Sequence, residues 1–234
     1  MSALSFVWRF AWRLVLLALI ALTLLQFWFF ANVAYYTVND PDSTAFMRSR
    51  LERLRQAQPK AKLSYQWMPY RSISIHLKRA VVAAEDGTFV EHDGFDWKGI
   101  RKAYEKNLRE GEVVAGGSTI TQQLAKNLFL SGERAWWRKA QEAAITVMIE
   151  LIMDKRRILE LYLNVIEWGE GVFGAEAAAR HHFAVSASQL APEQAARLAA
   201  MVPSPRRYGP GDNTAYLQRR TQTLLARMNG VRVP

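Results

Sequence analysis

RKAQEAAITVMIELIMDKRRILELYLN, residues 138–164, decides the fold class. It begins basic, becomes almost wholly apolar, and keeps its apolar residues at helical spacing, which predicts one long buried helix from Arg138 to Leu163. Glu142 breaks the apolar run. Positions 142, 145, 149 and 152 share a stripe, and the last three are isoleucine. Glu142 therefore projects from a face that belongs in the core or in the wall of a cleft. A buried carboxylate needs a partner, and Lys139, one turn earlier, is the nearest candidate. On these residues alone a structural ion pair and a catalytic role stay equally open.

Outward from this segment the periodicity remains helical. It predicts helices over Ile75–Ala84, Trp97–Leu108, Thr119–Phe129, Ala175–His182, Ala187–Met201 and Thr214–Met228, with strand-like alternation only over Ile73–Leu77. The glycine-rich pieces, Gly111 to Gly117 and Gly169 to Gly174, lie between helices and follow no strand, which argues against a nucleotide-binding βαβ unit. There is no internal repeat and no low-complexity tract. The domain reads as mainly α.

Three further stretches carry side chains suited to chemistry. In AVVAAEDGTFVEHDGFD, residues 80–96, an apolar helix ends abruptly in Glu85 and Asp86. Such a carboxylate is often simply exposed, but Phe89, His92 and Gly94 follow with turn-forming spacing. That would fold the chain back and set Glu85 in a partly dry cleft, where burial suits a carboxyl to proton transfer. In GGSTITQQLAKNLFL, residues 116–130, Thr119 and Gln122 have the spacing of a capping box, so Thr119 is the expected N-cap. Thr119, Gln122, Gln123 and Lys126 then fall on one polar face, opposite Ile120, Leu124 and Leu128. A solvated face would look similar, yet a hydroxyl, two amides and one cation at a helix N-terminus suit sugar and phosphate. In SGERAWWRKA, residues 131–140, Arg134, Arg138 and Lys139 bracket Trp136 and Trp137. This link suits either a second membrane contact or a pyrophosphate.

The N-terminal part differs from all of this. LVLLALIALTLLQFWFFANVAYYTV, residues 14–38, carries no ionisable charge and exceeds the roughly 20 apolar residues that span a bilayer. It is longer than a signal-peptide core and ends in an aromatic belt, so it reads as an uncleaved transmembrane helix. Arg9 and Arg13 place residues 1–13 in the cytoplasm by the positive-inside rule, with the domain outside. Residues 39–64 form a charged connector, and the domain proper is expected over 65–234. Thirty-one Lys and Arg against 21 Asp and Glu give a net charge of +10. In an anchored chain that balance favours lipid headgroups or a phosphorylated lipid over nucleic acid. The absence of cysteine suits an oxidising compartment. The four histidines are isolated or adjacent and write no zinc site, and no Ser-x-x-Lys or Gly-x-Ser-x-Gly nucleophile is present.

Four of these motifs, in order, carry a resemblance. They are Glu85-Asp86-x-x-Phe89-x-x-His92-x-Gly94; Gly117-Ser118-Thr119-Ile120-Thr121-Gln122-Gln123-x-x-Lys126-Asn127; Arg138-Lys139-x-x-Glu142; and Lys155-x-x-Ile158-Leu159-Glu160-x-Tyr162-Leu163-Asn164. With a fifth from Arg219-Arg220 to Met228, the chain from about Ile73 onward closely resembles the family 51 peptidoglycan glycosyltransferases. Its size, its anchor and the missing transpeptidase motif resemble the monofunctional members. A lysozyme-like lytic transglycosylase or muramidase is the competing class, but it needs neither the basic cluster nor a membrane span.

The resemblance implies a lysozyme-like helical glycosyltransferase domain with a hydrophobic jaw against the bacterial inner membrane, its catalytic domain periplasmic. It implies polymerisation of lipid II into glycan strands, with inversion at the anomeric carbon and release of undecaprenyl pyrophosphate. Glu85 would be the general base on the acceptor 4-hydroxyl, and Glu142 would act on the donor side. Lys126, Arg134, Arg138 and Lys139 would neutralise the pyrophosphate, while Ser118, Thr119, Gln122 and Gln123 would hold sugar and phosphate oxygens. Glu160 and Asn164 would be scaffold. No cofactor is required with certainty, and a divalent cation, Mg or Mn, has a place at the pyrophosphate. The expected partners are lipid II, lipid-linked glycan and other cell-wall synthesis or divisome proteins.

Overall fold

The computed structural model describes residues 3–112, 116–130 and 136–234. Residues 1–39 and 40–234 form two compact units. The first consists of helix α1, Ala3–Tyr36. Its 29-residue stretch Trp8–Tyr36 contains an 18-residue window of mean hydropathy 2.4, and its length at about 1.5 Å per residue is more than enough to cross a hydrocarbon layer of about 30 Å. Leu16, Leu17, Leu22, Leu24 and Trp28 are all exposed along it, the arrangement expected where lipid is the solvent.

The second unit is mainly helical. α2 (Ala45–Ala57) starts at Thr44, whose hydroxyl accepts the Met47 N–H. α3 (Ile75–Glu85) starts at Ser74, whose hydroxyl accepts from the His76 N–H at 3.3 Å. That cap corrects the strand expected over Ile73–Leu77: the alternation there is the entry into a helix, not a pleated run. α4 (Trp97–Glu110) is capped by Asp96, and α5 (Ile120–Phe129) by Thr119 through the expected capping box.

The long helix expected from Arg138 to Leu163 is two helices, α6 (Trp136–Ile152) and α7 (Lys155–Val165). Asp154 divides them, accepting the Arg157 N–H at 2.7 Å as the N-cap of α7. A short side-chain acceptor offers the backbone an alternative to helical continuation, and apolar periodicity does not register it. α8 (Ala175–Phe183), α9 (Pro192–Met201) and α10 (Ala215–Arg227) complete the set. The helix expected over Ala187–Met201 is a 3₁₀ turn followed by α9, because Pro192 sits at N1, where its missing N–H costs nothing.

A small sheet joins β1 (Ser64–Tyr65), β2 (Glu167–Gly169) and β3 (Val172–Phe173) in the order β1-β3-β2. β1 runs parallel to β3 and pairs Ser64 with Val172, while β2 runs antiparallel to β3. Gly174 follows at φ +82°, and a Cβ there would lie 2.8 Å from the Asn164 carbonyl oxygen. Asn164 itself accepts the Met68 N–H at 2.9 Å and donates to the Met68 carbonyl, and Glu160 accepts the Tyr70 N–H. Both residues therefore brace the chain that leads into α3.

α5 packs against α6 and α7, and α3 against α9 and α10. Leu124, Ile145, Ile149, Ile158, Leu161 and Tyr162 in the first group, and Leu77, Val81, Leu198 and Leu217 in the second, are fully buried. Each aliphatic side chain buried in this way contributes roughly 1.5–3 kcal/mol, which makes α3 and α5 rigid platforms.

Candidate active site

Glu85 is the last residue of α3, and its position is fixed from the α5 side. Gln123 Nε2 donates to Glu85 Oε2 at 2.8 Å, and the Tyr162 hydroxyl donates to Gln123 Oε1 at 2.9 Å. The Glu85 side chain is partly exposed as a whole, but its carboxyl end is packed closely enough for burial to push its pKa up. The Gln123 hydrogen bond and the Arg220 charge oppose that rise, and Asp86 adds to it. The carboxylate is therefore desolvated yet held by a donor, the condition in which a carboxyl serves as a base near neutral pH.

The loop after Glu85 is tied down at several points. Asp86 is buried; one of its oxygens meets His92 Nε2 at 2.9 Å and the other accepts the Ile120 N–H at 3.0 Å. The Asp86 hydrogen bond, ahead of the opposing desolvation, raises the His92 pKa. The Thr119 hydroxyl donates to the Gly94 carbonyl at 2.7 Å. Lys155 donates to the His92 carbonyl at 2.6 Å and to Glu150 at 2.8 Å, and Glu150 also accepts from Thr121 at 2.5 Å.

Two hollows meet along Gly117–Ser118. One, of about 170 Å³, is lined by Glu85, Asp86, Asp96, Gly99 and Thr119. The other, of about 310 Å³, is lined by Ile100, Tyr104, Asn107, Gln122 and Lys139. Gly117 and Ser118 line both. Gly117 approaches α4 closely: a Cβ at this position would lie 3.1 Å from the Ile100 Cα. On the second side Lys139 Nζ lies against Glu142 Oε1 and 3.5 Å from the Ser118 hydroxyl. The Glu142 side chain is 10% exposed and that of Lys139 58%. Glu142, Ile145 and Ile149 are buried, as the stripe requires, while Ile152 at its end is partly exposed. The ion pair expected from the spacing is present, and it presents a cation to the hollow with a buried carboxylate behind it.

The remaining residues expected at the site are distributed unevenly. Arg138 is buried in the first turn of α6, and Lys126 is exposed on α5. Arg134 and the side chain of Trp136 lie outside the described residues. Thr119 and Gln122 are buried, and each is bonded to the other's backbone in the capping box. Gln123, the next residue, faces Glu85 instead of the second hollow. Of the four residues expected on one polar face, Thr119 and Gln122 build the helix start and line the two hollows, Gln123 holds Glu85, and Lys126 is exposed. Among the described residues no three of His, Asp or Glu gather in a way that could hold a metal ion.

Two residues absent from the sequence-based site belong to it. Arg220 of α10 lies near enough to Glu85 for its charge to favour the ionised carboxylate, and its Nε is buried without a hydrogen-bond partner among the described residues. Tyr162 of α7 is fully buried and bonds Gln123. Both sit in motif positions, but the spacing does not reveal which neighbour their polar ends meet.

A family model described as Transglycosylase matches residues 51–229. The chain is 57% identical over 226 residues to a biosynthetic peptidoglycan transglycosylase of Nitrosospira multiformis, covering 97% of this chain and 98% of that one. It is 58% identical over 223 residues to a protein of the same description from Methylobacillus flagellatus, covering 95% and 97% of the two chains. A third, from Azoarcus sp., is 61% identical over 201 residues, covering 86% and 87%.

Proposed function

The chain belongs to the transglycosylase family and is a monofunctional peptidoglycan glycosyltransferase with a lysozyme-like helical domain, and on that basis we propose that Glu85 is the general base with which it extends lipid-linked glycan strands. The relatives carry biosynthetic names, which favours polymerisation over lytic cleavage. In the proposed step the acceptor 4-hydroxyl of lipid II gives its proton to Glu85. Its oxygen then bonds the anomeric carbon of the growing chain from the face opposite the leaving group. The bond from that carbon to the pyrophosphate oxygen breaks, and undecaprenyl pyrophosphate departs with the electron pair.

The observation that carries this reading is the pair of hollows that share Gly117–Ser118. One holds a desolvated carboxylate and the other a lysine backed by a buried glutamate. Lys139, kept in place by Glu142, meets the charge that grows on the pyrophosphate as the bond breaks. In the same reading Arg138, Lys126 and Arg134 add positive charge for the pyrophosphate, and Ser118, which lines both hollows, offers its hydroxyl. The Glu142 carboxylate is taken up by Lys139, and among the described residues no three of His, Asp or Glu gather to hold a metal ion, so a Mg or Mn ion would be held by the pyrophosphate and not by a cluster of protein ligands.

For the location we propose a single-pass anchor, α1, in the bacterial cytoplasmic membrane, with Arg9 and Arg13 inside and the catalytic domain on the periplasmic side. The exposed apolar residues Trp97, Tyr104 and Leu108 of α4, and Trp137, Val147 and Leu151 of α6, suit contact with the lipid from which the substrate is drawn.

Labelled lipid II supplied in detergent tests the reading. Wild type yields polymer and Glu85→Gln none, whereas Lys139→Ala lowers the rate and retains some polymer. Polymerisation by Glu85→Gln at the wild-type rate would remove Glu85 as the base.

A further inference from the structure

Tyr162 takes no part in the step just described, yet it is the residue on which the orientation of Gln123 depends. Its side chain is fully buried in α7, and its one hydrogen bond among the described residues is to Gln123 Oε1, at 2.9 Å. The other end of the same amide donates to Glu85 Oε2 at 2.8 Å. Resting on Glu85 as the base, we infer that Tyr162 is a positioning residue: its hydroxyl holds the Gln123 amide with its N–H group, and not its carbonyl, toward the catalytic carboxylate.

The physical reason lies in the two unlike ends of a glutamine amide. With Nε2 toward Glu85, the amide donates to an ionised carboxylate, and the Tyr162 O–H has Oε1 to donate to. With the amide turned over, Oε1 would face Glu85, which only a protonated carboxyl could satisfy. The phenol proton would then lose the one acceptor it has among the described residues, and a buried unpaired donor is costly. Tyr162 therefore biases the amide toward the orientation that favours the ionised, base-competent Glu85. Burial and the nearby charges of Glu85 and Asp86 raise the phenol pKa well above its ordinary value, so the hydroxyl keeps its proton, and remains a donor, throughout the working range.

Without the hydroxyl the preference is lost, and the turned-over amide can accept a hydrogen bond from protonated Glu85, which stabilises the protonated form. The base then protonates at higher pH than in wild type. The effect falls mainly on the acid limb and leaves substrate binding alone.

The test is lipid II polymerisation by the full chain in detergent, followed across pH for wild type, Tyr162→Phe, Gln123→Met, the double variant and Glu85→Gln. For Tyr162→Phe the expectation is an unchanged KM, a loss of roughly tenfold on the acid limb and only about twofold on the plateau. Gln123→Met should move the limb in the same direction, and adding Tyr162→Phe to it should move it no further. A thermal unfolding midpoint near wild type for Tyr162→Phe separates this from general loosening. A Tyr162→Phe profile parallel to wild type, or superimposed on it, would overturn the positioning role and leave Glu85 as the base. Wild-type activity from Glu85→Gln would overturn both.

Discussion

Asp86 accepts the backbone N–H of Ile120 at 3.0 Å, across 34 residues of chain. This contact ties the residue after Glu85 to the first turn of α5. It satisfies one of the N–H groups that a helix start leaves orphaned, and it sets a carboxylate at the positive end of the helix dipole. Gln123 lies on the same helix, so the two ends of the Glu85–Gln123 hydrogen bond are held in register by a second bond close by. Replacing Asp86 by Ala leaves both the Ile120 N–H and His92 without this partner. The expected cost is about 2–3 kcal/mol of stability, read from denaturant unfolding, with a larger loss of polymerisation than stability alone explains. Asp86→Asn keeps an acceptor for Ile120 and should cost less.

The His92 side of the same carboxylate makes stability depend on pH. Its folded pKa is raised, first by the Asp86 hydrogen bond. A raised histidine contributes stability that is fully present below its unfolded value of about 6.5 and is lost as pH rises through the folded value. His92→Ala should therefore lower the unfolding midpoint more at about pH 6 than at about pH 9. An equal penalty at both would mean that the contact acts through packing alone.

Lys155 supports the loop from below. Its side chain is 20% exposed and that of Glu150 7%, with 2.8 Å between their charged atoms. Lys155→Ala leaves Glu150 buried and uncompensated and removes the donor to the His92 carbonyl. A loss of about 3 kcal/mol or more is expected. The double variant Lys155→Ala with Glu150→Gln should recover part of it, as unfolding curves of the three proteins would show.

Gly94 is where the loop meets α6. Its φ is +86°, and a Cβ would lie 2.7 Å from Thr146 Cγ2 and 3.0 Å from Glu150 Cγ. Strain at positive φ and overpacking act together at this position, so Gly94→Ala is expected to lose about 2–4 kcal/mol. Polymerisation should fall with it, because the Gly94 carbonyl is the acceptor for Thr119 at the start of α5. Gly87, where a Cβ would meet nothing within 4 Å, serves as the control: Gly87→Ala should leave the unfolding midpoint close to wild type.

Local rules made much of this protein legible before any packing was known. The uncharged run of α1, the capping box at Thr119, the buried stripe through Glu142, Ile145 and Ile149, and the Lys139–Glu142 pair all follow from neighbours within a turn or two. Such interactions depend only on helical spacing. The ordered motifs singled out Glu85 and Glu142 together. The break at Asp154 escaped because one capping side chain outweighed an apolar period that continues through it.

What only the tertiary structure decided is the division of labour between adjacent residues. Gln122 and Gln123 look alike in sequence but point about 100° apart on α5. Gln122 turns back to cap its own helix, whereas Gln123 meets Glu85 of α3 and Tyr162 of α7, each more than thirty residues away. The charge of Arg220 acts on the same carboxylate from α10. Contacts of that range are set by how α3, α5, α7 and α10 pack, and packing depends on the shapes of all the buried side chains at once, not on the spacing within any one helix.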